Sequence, residues 1–245
     1  MSLEKAKGVM IKRVYGARGI RDLPDLAVYT DDTQMSIAIA EALIEAGHKD
    51  IETLMERAKG CGSAMRSAPV GYYYQHNPEK LKGVAHITGI CTHRHGTADA
   101  ACIGAAYLVK LAPDGMEPSV MIGELLNFTR GISDEWEEAI EKIGKCLDWK
   151  DEEKALSFLG EGWVGEEGMA LALYCFLRYP DSYEKCLLRA ANTNGDSDSI
   201  ACIAGAISGA YLGFEAIPRG WVERIENKDY LIDLGIRLAK ARERL

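Results

Sequence analysis

NGDSDSIACIAGAISGAYLG, residues 194–213, is the stretch on which the fold turns. Its first half carries Asp196, Ser197, Asp198 and Ser199, short oxygen-bearing side chains of the kind that start helices. Its second half carries Ala201, Ala204, Gly205, Ala206, Ser208, Gly209 and Ala210, which leave almost no side-chain bulk. A helix over 197–213 built this way lets neighbouring helices approach closely, so it reads as a central helix whose N-terminus lies deep in a bundle.

Outward from that helix the periodicity stays helical. Met35, Ile37, Ile39, Ala42, Leu43 and Ala46 form one apolar face that closes at Gly47. Helices are expected over 98–111, 117–129, 133–147, 166–178, 181–191 with Asp181 as cap, and 231–245, with Pro218 in a first helical turn. Val70 to Tyr74 is the nearest approach to a strand and fits a helix equally well. The expectation is a single all-α domain over residues 1–245, with about ten or more short helices in an orthogonal multi-helix bundle.

Composition narrows the class. Apolar residues are 47% and charged residues 27% of the 245, with a net charge of −8. Lys and Arg are nowhere concentrated into a phosphate-tracking surface, which argues against nucleic acid as partner except as a modified substrate. No apolar run reaches the length of a membrane span, and Met-Ser-Leu-Glu-Lys-Ala-Lys lacks a signal-peptide core, so cytoplasm is the default and no membrane partner is expected. Seven cysteines, an odd number without a Cys-x-x-Cys pair, read as reduced thiols rather than as a zinc site or disulfide framework.

A second acidic cluster, Thr30-Asp31-Asp32-Thr33, precedes the 35–46 helix. One cluster of this type is ordinary capping. Two clusters, each with more carboxylates than a cap uses, set like charges side by side, and that repulsion is relieved by a cation between them. The donors are carboxylates and hydroxyls without interleaved His or Cys, which suits Mg²⁺, with Mn²⁺ or Ca²⁺ possible. Five or six such oxygens fit two ions sharing carboxylates as well as they fit surplus capping. Gly60-Cys61-Gly62-Ser63 is a small-residue turn able to bring backbone amides to a phosphate. After it, Met65-Arg66 offers either a phosphate partner or a solvated cation. His93-x-His95 reads as a surface turn or a metal pair, and Tyr72-Tyr73-Tyr74 as packing or base stacking.

Together these segments resemble the ADP-ribosylglycohydrolase family, including the dinitrogenase-reductase-activating glycohydrolases. Tyr29-Thr-Asp-Asp-Thr-Gln-Met35 is similar to its first metal motif, and Gly60-Cys-Gly-Ser-Ala-Met-Arg-Ser-Ala-Pro-Val-Gly71 to its Gly-x-Gly…Met-Arg…Pro loop. Thr92-His93 falls on its Thr-His pair, residues 194–213 on its second metal motif, and Ile217-Pro218 with Trp221 on its usual ending. The resemblance implies a helical bundle around a central binuclear metal site. Its two Mg²⁺ ions (Mn²⁺ possible) would be held by Thr30, Asp31, Asp32, Asp196, Asp198 and Ser199, with Ser199 standing where Thr is more usual. It implies a glycosidase that releases ADP-ribose from an N- or O-linked acceptor on a protein or small molecule. Asp31 or Asp32 would take the proton of the attacking water. Gly60, Cys61, Gly62, Ser63, Met65, Arg66 and His93 would line the substrate cleft.

Two departures stand out. Family members carry a Gly-rich first helix with an active-site glutamate, whereas Lys7-Gly8 here runs straight into Val9-Met-Ile-Lys-Arg-Val. Arg57-Ala-Lys-Gly60 likewise joins the Gly-Cys-Gly turn without the longer connection of relatives. Either the chain is a shortened member or stretches at these two joints are absent from this sequence. A catalytically impaired ADP-ribose-binding or structural member, and a two-metal nucleotide phosphohydrolase, are the alternatives to the hydrolase reading.

Overall fold

The computed structural model describes residues 59–243. Eleven α-helices lie among them, with no strand. They are α1 (Ala68–Tyr73), α2 (Pro78–Ile90), α3 (Gly96–Leu111), α4 (Pro118–Thr129), α5 (Asp134–Cys146) and α6 (Glu152–Leu159), followed by α7 (Gly165–Arg178), α8 (Tyr183–Ala190), α9 (Ser197–Leu212), α10 (Arg219–Val222) and α11 (Lys228–Arg242). A 3₁₀ turn, Cys61–Ser63, precedes α1. The all-α expectation holds over this span. The helix expected over 35–46 lies outside the described residues.

Caps explain most boundaries. Asn77, Ser133, Asp151 and Ser182 each accept a hydrogen bond from the backbone N–H three residues on, satisfying a donor that the first turn leaves orphaned. α8 therefore starts from Ser182 rather than from Asp181, because the cap goes to the residue whose hydroxyl reaches Lys185 N, at 3.3 Å. α2 and α6 are not signalled by periodicity. α2 carries Gly83, Gly89 and several β-branched residues, and burial of Leu81, Ala85 and Gly89 on α3 holds it in place.

The most enclosed helices are α3 and α7, not the helix over 197–213. Every residue of α3 from Thr97 to Leu111 is buried except Asp99 and Lys110, and α3 packs on α1, α2, α4, α5, α7 and α9. Its small residues make this possible. A side chain at Gly104 would sit 2.8 Å from the Trp136 ring, which is fully buried and donates its Nε1–H to Thr129 Oγ1 at 2.8 Å. α9 instead buries one stripe, Ser197, Ser199, Ile200, Ile203, Ala204, Ile207 and Ser208, against α7, α8 and α3. Its small residues outside that stripe are half-buried. Its first turn is nevertheless sunk into the bundle, as expected.

The Tyr triplet is packing. Tyr73 and Tyr74 are buried edge to face, and the half-buried Tyr72 lies under the Arg242 guanidinium, 4.4 Å from its ring centre. All seven cysteines are free thiols. Burial pushes the Cys102 and Cys186 thiols up to about 12, so they are packing groups rather than nucleophiles.

At Gly71, where α1 crosses α3, an added Cβ would lie 2.1 Å from the Ala106 carbonyl oxygen. Gly71→Ala is expected to cost about 3 kcal/mol in urea unfolding, because backbone must move. Gly123→Ala, at an exposed α4 position with open space around it, is expected to gain about 0.5–1 kcal/mol.

Candidate functional site

Four short segments converge where α7 and α9 begin: the 59–66 turn, the 91–95 link, the 160–164 loop and the 194–199 cluster. The 160–164 loop joins the others. Its Glu161 carbonyl accepts from Asp196 N at 2.9 Å, and its Gly162 carbonyl accepts from the Cys61 thiol at 2.7 Å. Gly195 lets the 194–199 segment come this close, since a side chain there would sit 1.7 Å from the Glu161 oxygen. The loop has positive φ at Gly160 (125°) and Gly162 (81°), conformations that L side chains rarely adopt. Glu167, in the first turn of α7, clamps it by accepting from both Glu161 N (3.0 Å) and Gly162 N (3.1 Å).

The 59–66 turn is held equally firmly. Gly165 N donates to Lys59 O at 2.9 Å, and Lys59 Nζ pairs with Glu166 at 2.7 Å and also with Glu135. Donating to Glu135 and then to Glu166 raises the Lys59 pKa, so the ammonium stays charged. Ser63 is fully buried with its hydroxyl donating to Ala98 O at 2.9 Å, which leaves the turn's contribution to a ligand to its backbone. His93 lies across the turn. A Cβ on Gly62 would be 2.8 Å from its Cε1, and one on Gly60 3.4 Å from its Nε2.

Arg66 is 5% exposed, so the solvated reading of this side chain does not hold. Its Nη2 donates to Thr88 O at 2.7 Å and to Thr92 Oγ1, whose hydroxyl is 2.7 Å from His93 Nδ1. Burial, then the Arg66 charge, hold the His93 pKa below its ordinary value, so the imidazole is neutral at pH 7. His95 does a different job: its Nδ1 accepts from Thr97 N at 3.3 Å and caps α3. Met65 is buried against the start of α9, with its sulfur 3.7 Å from Ser199 Oγ and its carbonyl accepting from Cys202.

Capping and cation binding make different demands on Asp196. It occupies the N-cap position of α9, yet its side chain accepts no cap bond. The carboxylate turns instead to Cys61, whose Sγ is 3.1 Å from Oδ2. Burial is the main cause that pushes its pKa up to about 6. The Cys61 thiol and Ser199 hydroxyl oppose the shift, and the neighbouring Asp198 carboxyl adds to it. No ion pair among the described residues reaches Asp196 or Asp198. An uncapping, partly buried carboxylate beside a second one and a hydroxyl is the donor set a hard cation takes. Among the described residues no three His, Cys, Asp or Glu side chains form a metal cluster. Thr30, Asp31 and Asp32 lie outside the described residues.

The ADP-ribosylglycohydrolase family model matches residues 52–245. The chain belongs to this family. Residues 60–71, 92–93 and 194–213 fall inside the match, and residues 29–35 precede it. ADP-ribosylhydrolase ARH3 of Bos taurus is 31% identical over 196 residues, covering 68% of this chain and 53% of that protein. The chain thus spans about half the length of its ARH3 relatives. The ADP-ribosyl-[dinitrogen reductase] glycohydrolase of Rhodospirillum rubrum is 23% identical, covering 81% of this chain and 74% of that protein. A protein of Archaeoglobus fulgidus is 27% identical over 278 residues, covering 96% and 89%. That span exceeds the 245 residues here, so the relative carries internal stretches with no counterpart in this chain. The fold is shared with a chain of a solved ADP-ribosylglycohydrolase-related protein complex, at TM-score 0.75 and 21% identity over 94% of this chain and 87% of the other.

The 160–164 loop was not among the expected site segments. Its signal in sequence is Gly160-x-Gly162 directly before a helix that carries Glu167.

The raised Asp196 pKa sets a pH dependence in the cation-free protein. The folded state holds this proton up to about pH 6, whereas the unfolded chain releases it near 3.8. Stability is therefore lost as pH rises through that window. Asp196→Asn removes the loss. In EDTA at pH 8 it should stabilise against urea by about 1–2 kcal/mol, a value reduced for residual solvent contact, and it should match wild type below pH 4.

Proposed function

We propose that this chain is a divalent-cation-dependent glycosidase that hydrolyses the N- or O-glycosidic bond between ADP-ribose and an acceptor on a protein or small molecule. The observation that carries the proposal is the Asp196 carboxylate. It sits at a helix start without capping it, beside Asp198 and Ser199, and the Cys61 thiol links it to the Gly60–Ser63 turn. A stability-driven sequence would spend that position on a cap. Family membership supplies the substrate class.

In this reading Asp196, Asp198 and Ser199, with Thr30, Asp31 and Asp32 by resemblance, would hold two Mg²⁺ ions, or Mn²⁺. When bound, such cations would supply positive charge for the ribose hydroxyls and lower the pKa of a nearby water. The residues do the rest. Water attacks C1 of the ribose as the bond to the acceptor nitrogen or oxygen breaks through an oxocarbenium-like state. Asp31 or Asp32 takes the water's proton, and the acceptor leaves with the bonding electron pair and gains the proton that the carboxylate then gives up. Backbone amides of the Gly60–Ser63 turn face the pyrophosphate, with the His93 ring beside them. Arg66 acts from behind, by holding Thr92 and through it His93.

No helix among the described residues is long and apolar enough to cross a membrane. A cytoplasmic location, with the acceptor an arginine, a serine, a nucleobase or a metabolite, completes the proposal.

A second reading, ADP-ribose binding without turnover, is favoured by one specific observation. The Lys7-Gly8-Val9 joint has no glutamate where family members place one at the active site.

The two readings separate by product. Purified protein is incubated with ADP-ribosyl-arginine, ADP-ribosyl-serine and ADP-ribosylated nucleic acid, in Mg²⁺ or EDTA, and free ADP-ribose is followed by chromatography. The hydrolase should release ADP-ribose from at least one substrate in Mg²⁺ alone. Asp196→Ala should lower the rate at least about 100-fold, on the scale expected when catalytic electrostatics are removed. ADP-ribose that binds without any release would support the second reading, and released phosphate would contradict both.

A further inference from the structure

We infer that Cys61 is a positioning residue whose one thiol proton, shared between the Gly162 carbonyl and the Asp196 carboxylate, holds that carboxylate in the orientation that captures a cation. The inference rests on the cation-binding reading of Asp196 given above. An aspartate at an N-cap ordinarily folds back onto the amides of its own first turn. Asp196 does not, and something must hold its carboxylate away from them. Its backbone is tied by Asp196 N to Glu161 O at 2.9 Å. Its side chain meets Cys61 Sγ at 3.1 Å from Oδ2.

The sulfur has little freedom. Cys61 is 2% exposed, and its Sγ is 2.7 Å from the Gly162 carbonyl oxygen. On the α7 side the space is kept open by Gly168, where a Cβ would come within 3.1 Å of the sulfur. Carbonyl, glycine and 3₁₀ turn thus place one weak donor between the Gly162 carbonyl oxygen and one Asp196 carboxylate oxygen, a shared, three-centre arrangement. A partner that orients a metal-ligating carboxylate in this way typically sets affinity by about 10–100-fold.

The competing role is packing, since a buried Cys also serves as a small hydrophobe. Val and Ser separate the two. Val fills the space without a donor, and Ser keeps a donor but fills less space. Mn²⁺ affinity is measured by titration calorimetry, with loss of the free Mn²⁺ electron paramagnetic resonance signal as second readout. The proteins are wild type, Cys61→Ser, Cys61→Val and Asp196→Ala, each with its metal-free melting temperature. Positioning predicts that Ser stays within about threefold of wild type, while Val weakens binding about tenfold or more, on the scale of a lost orienting partner. The melting temperatures should run the other way, with Val at or above Ser. If Val binds Mn²⁺ as wild type does while Asp196→Ala loses it, the thiol is packing only and the cation reading stands. If Asp196→Ala binds as wild type, the cation reading falls and this inference with it. Should the Val variant not fold, Cys61→Ala replaces it and is read the same way.

Discussion

Two carbonyls on one loop hold the site together. Glu161 O takes the amide of Asp196, and Gly162 O shares the thiol proton of Cys61 with the Asp196 carboxylate. Cys61 is 101 positions from Gly162 and 135 from Asp196 along the chain, yet the loop makes them neighbours. The loop can do this because Gly160 and Gly162 adopt positive φ and because Glu167 binds both of its amides. It is attached without a spacer to α7, one of the two most enclosed helices. Core packing is thereby transmitted directly to a polar cluster, which is what a site requiring small positional tolerance needs.

The bundle beneath is organised for close approach. Ala98, Ala101, Gly104 and Ala106 on α3 let α1, α5 and α7 come near its backbone, and Gly165 at the start of α7 rests against Ala101 with little room for a side chain. A core of this kind rigidifies the elements that carry the turn and the acidic cluster. The cluster itself opposes stability. Asp196 is ionised against the preference of its surroundings, beside Asp198, and without a cap to offset the cost. Such a local conflict within an otherwise consistent fold marks function more reliably than any single motif. On the proposed reading, a bound cation would turn the same arrangement from a cost into a source of affinity.

Much of this was legible in the residues. The Ala/Gly/Ser run of 197–213 and the apolar periodicity placed most helices within a residue or two. The acidic cluster and the Gly60–Ser63 turn were visible as chemistry out of proportion to capping. Other features were not legible, for physical reasons. α2 has weak amphipathicity and owes its helix to burial on α3. Centrality was assigned to α9 on small residues alone, whereas α3 combines small residues with Ile103, Tyr107, Leu108 and Leu111 and so fills space on all sides. Arg66 read as a solvent or phosphate cation because nothing local announces Thr88 and Thr92 as its acceptors. The 160–164 loop escaped notice because its role lies in backbone carbonyls, which every residue possesses.

Anomalous diffraction from crystals of this protein grown with Mn²⁺ tests the central claim most directly. The account predicts manganese peaks within coordination distance of the Asp196 and Asp198 carboxylates, facing the Gly60–Ser63 turn. Ordered protein without a peak there, or with the Asp196 carboxylate folded back to cap α9, would contradict it.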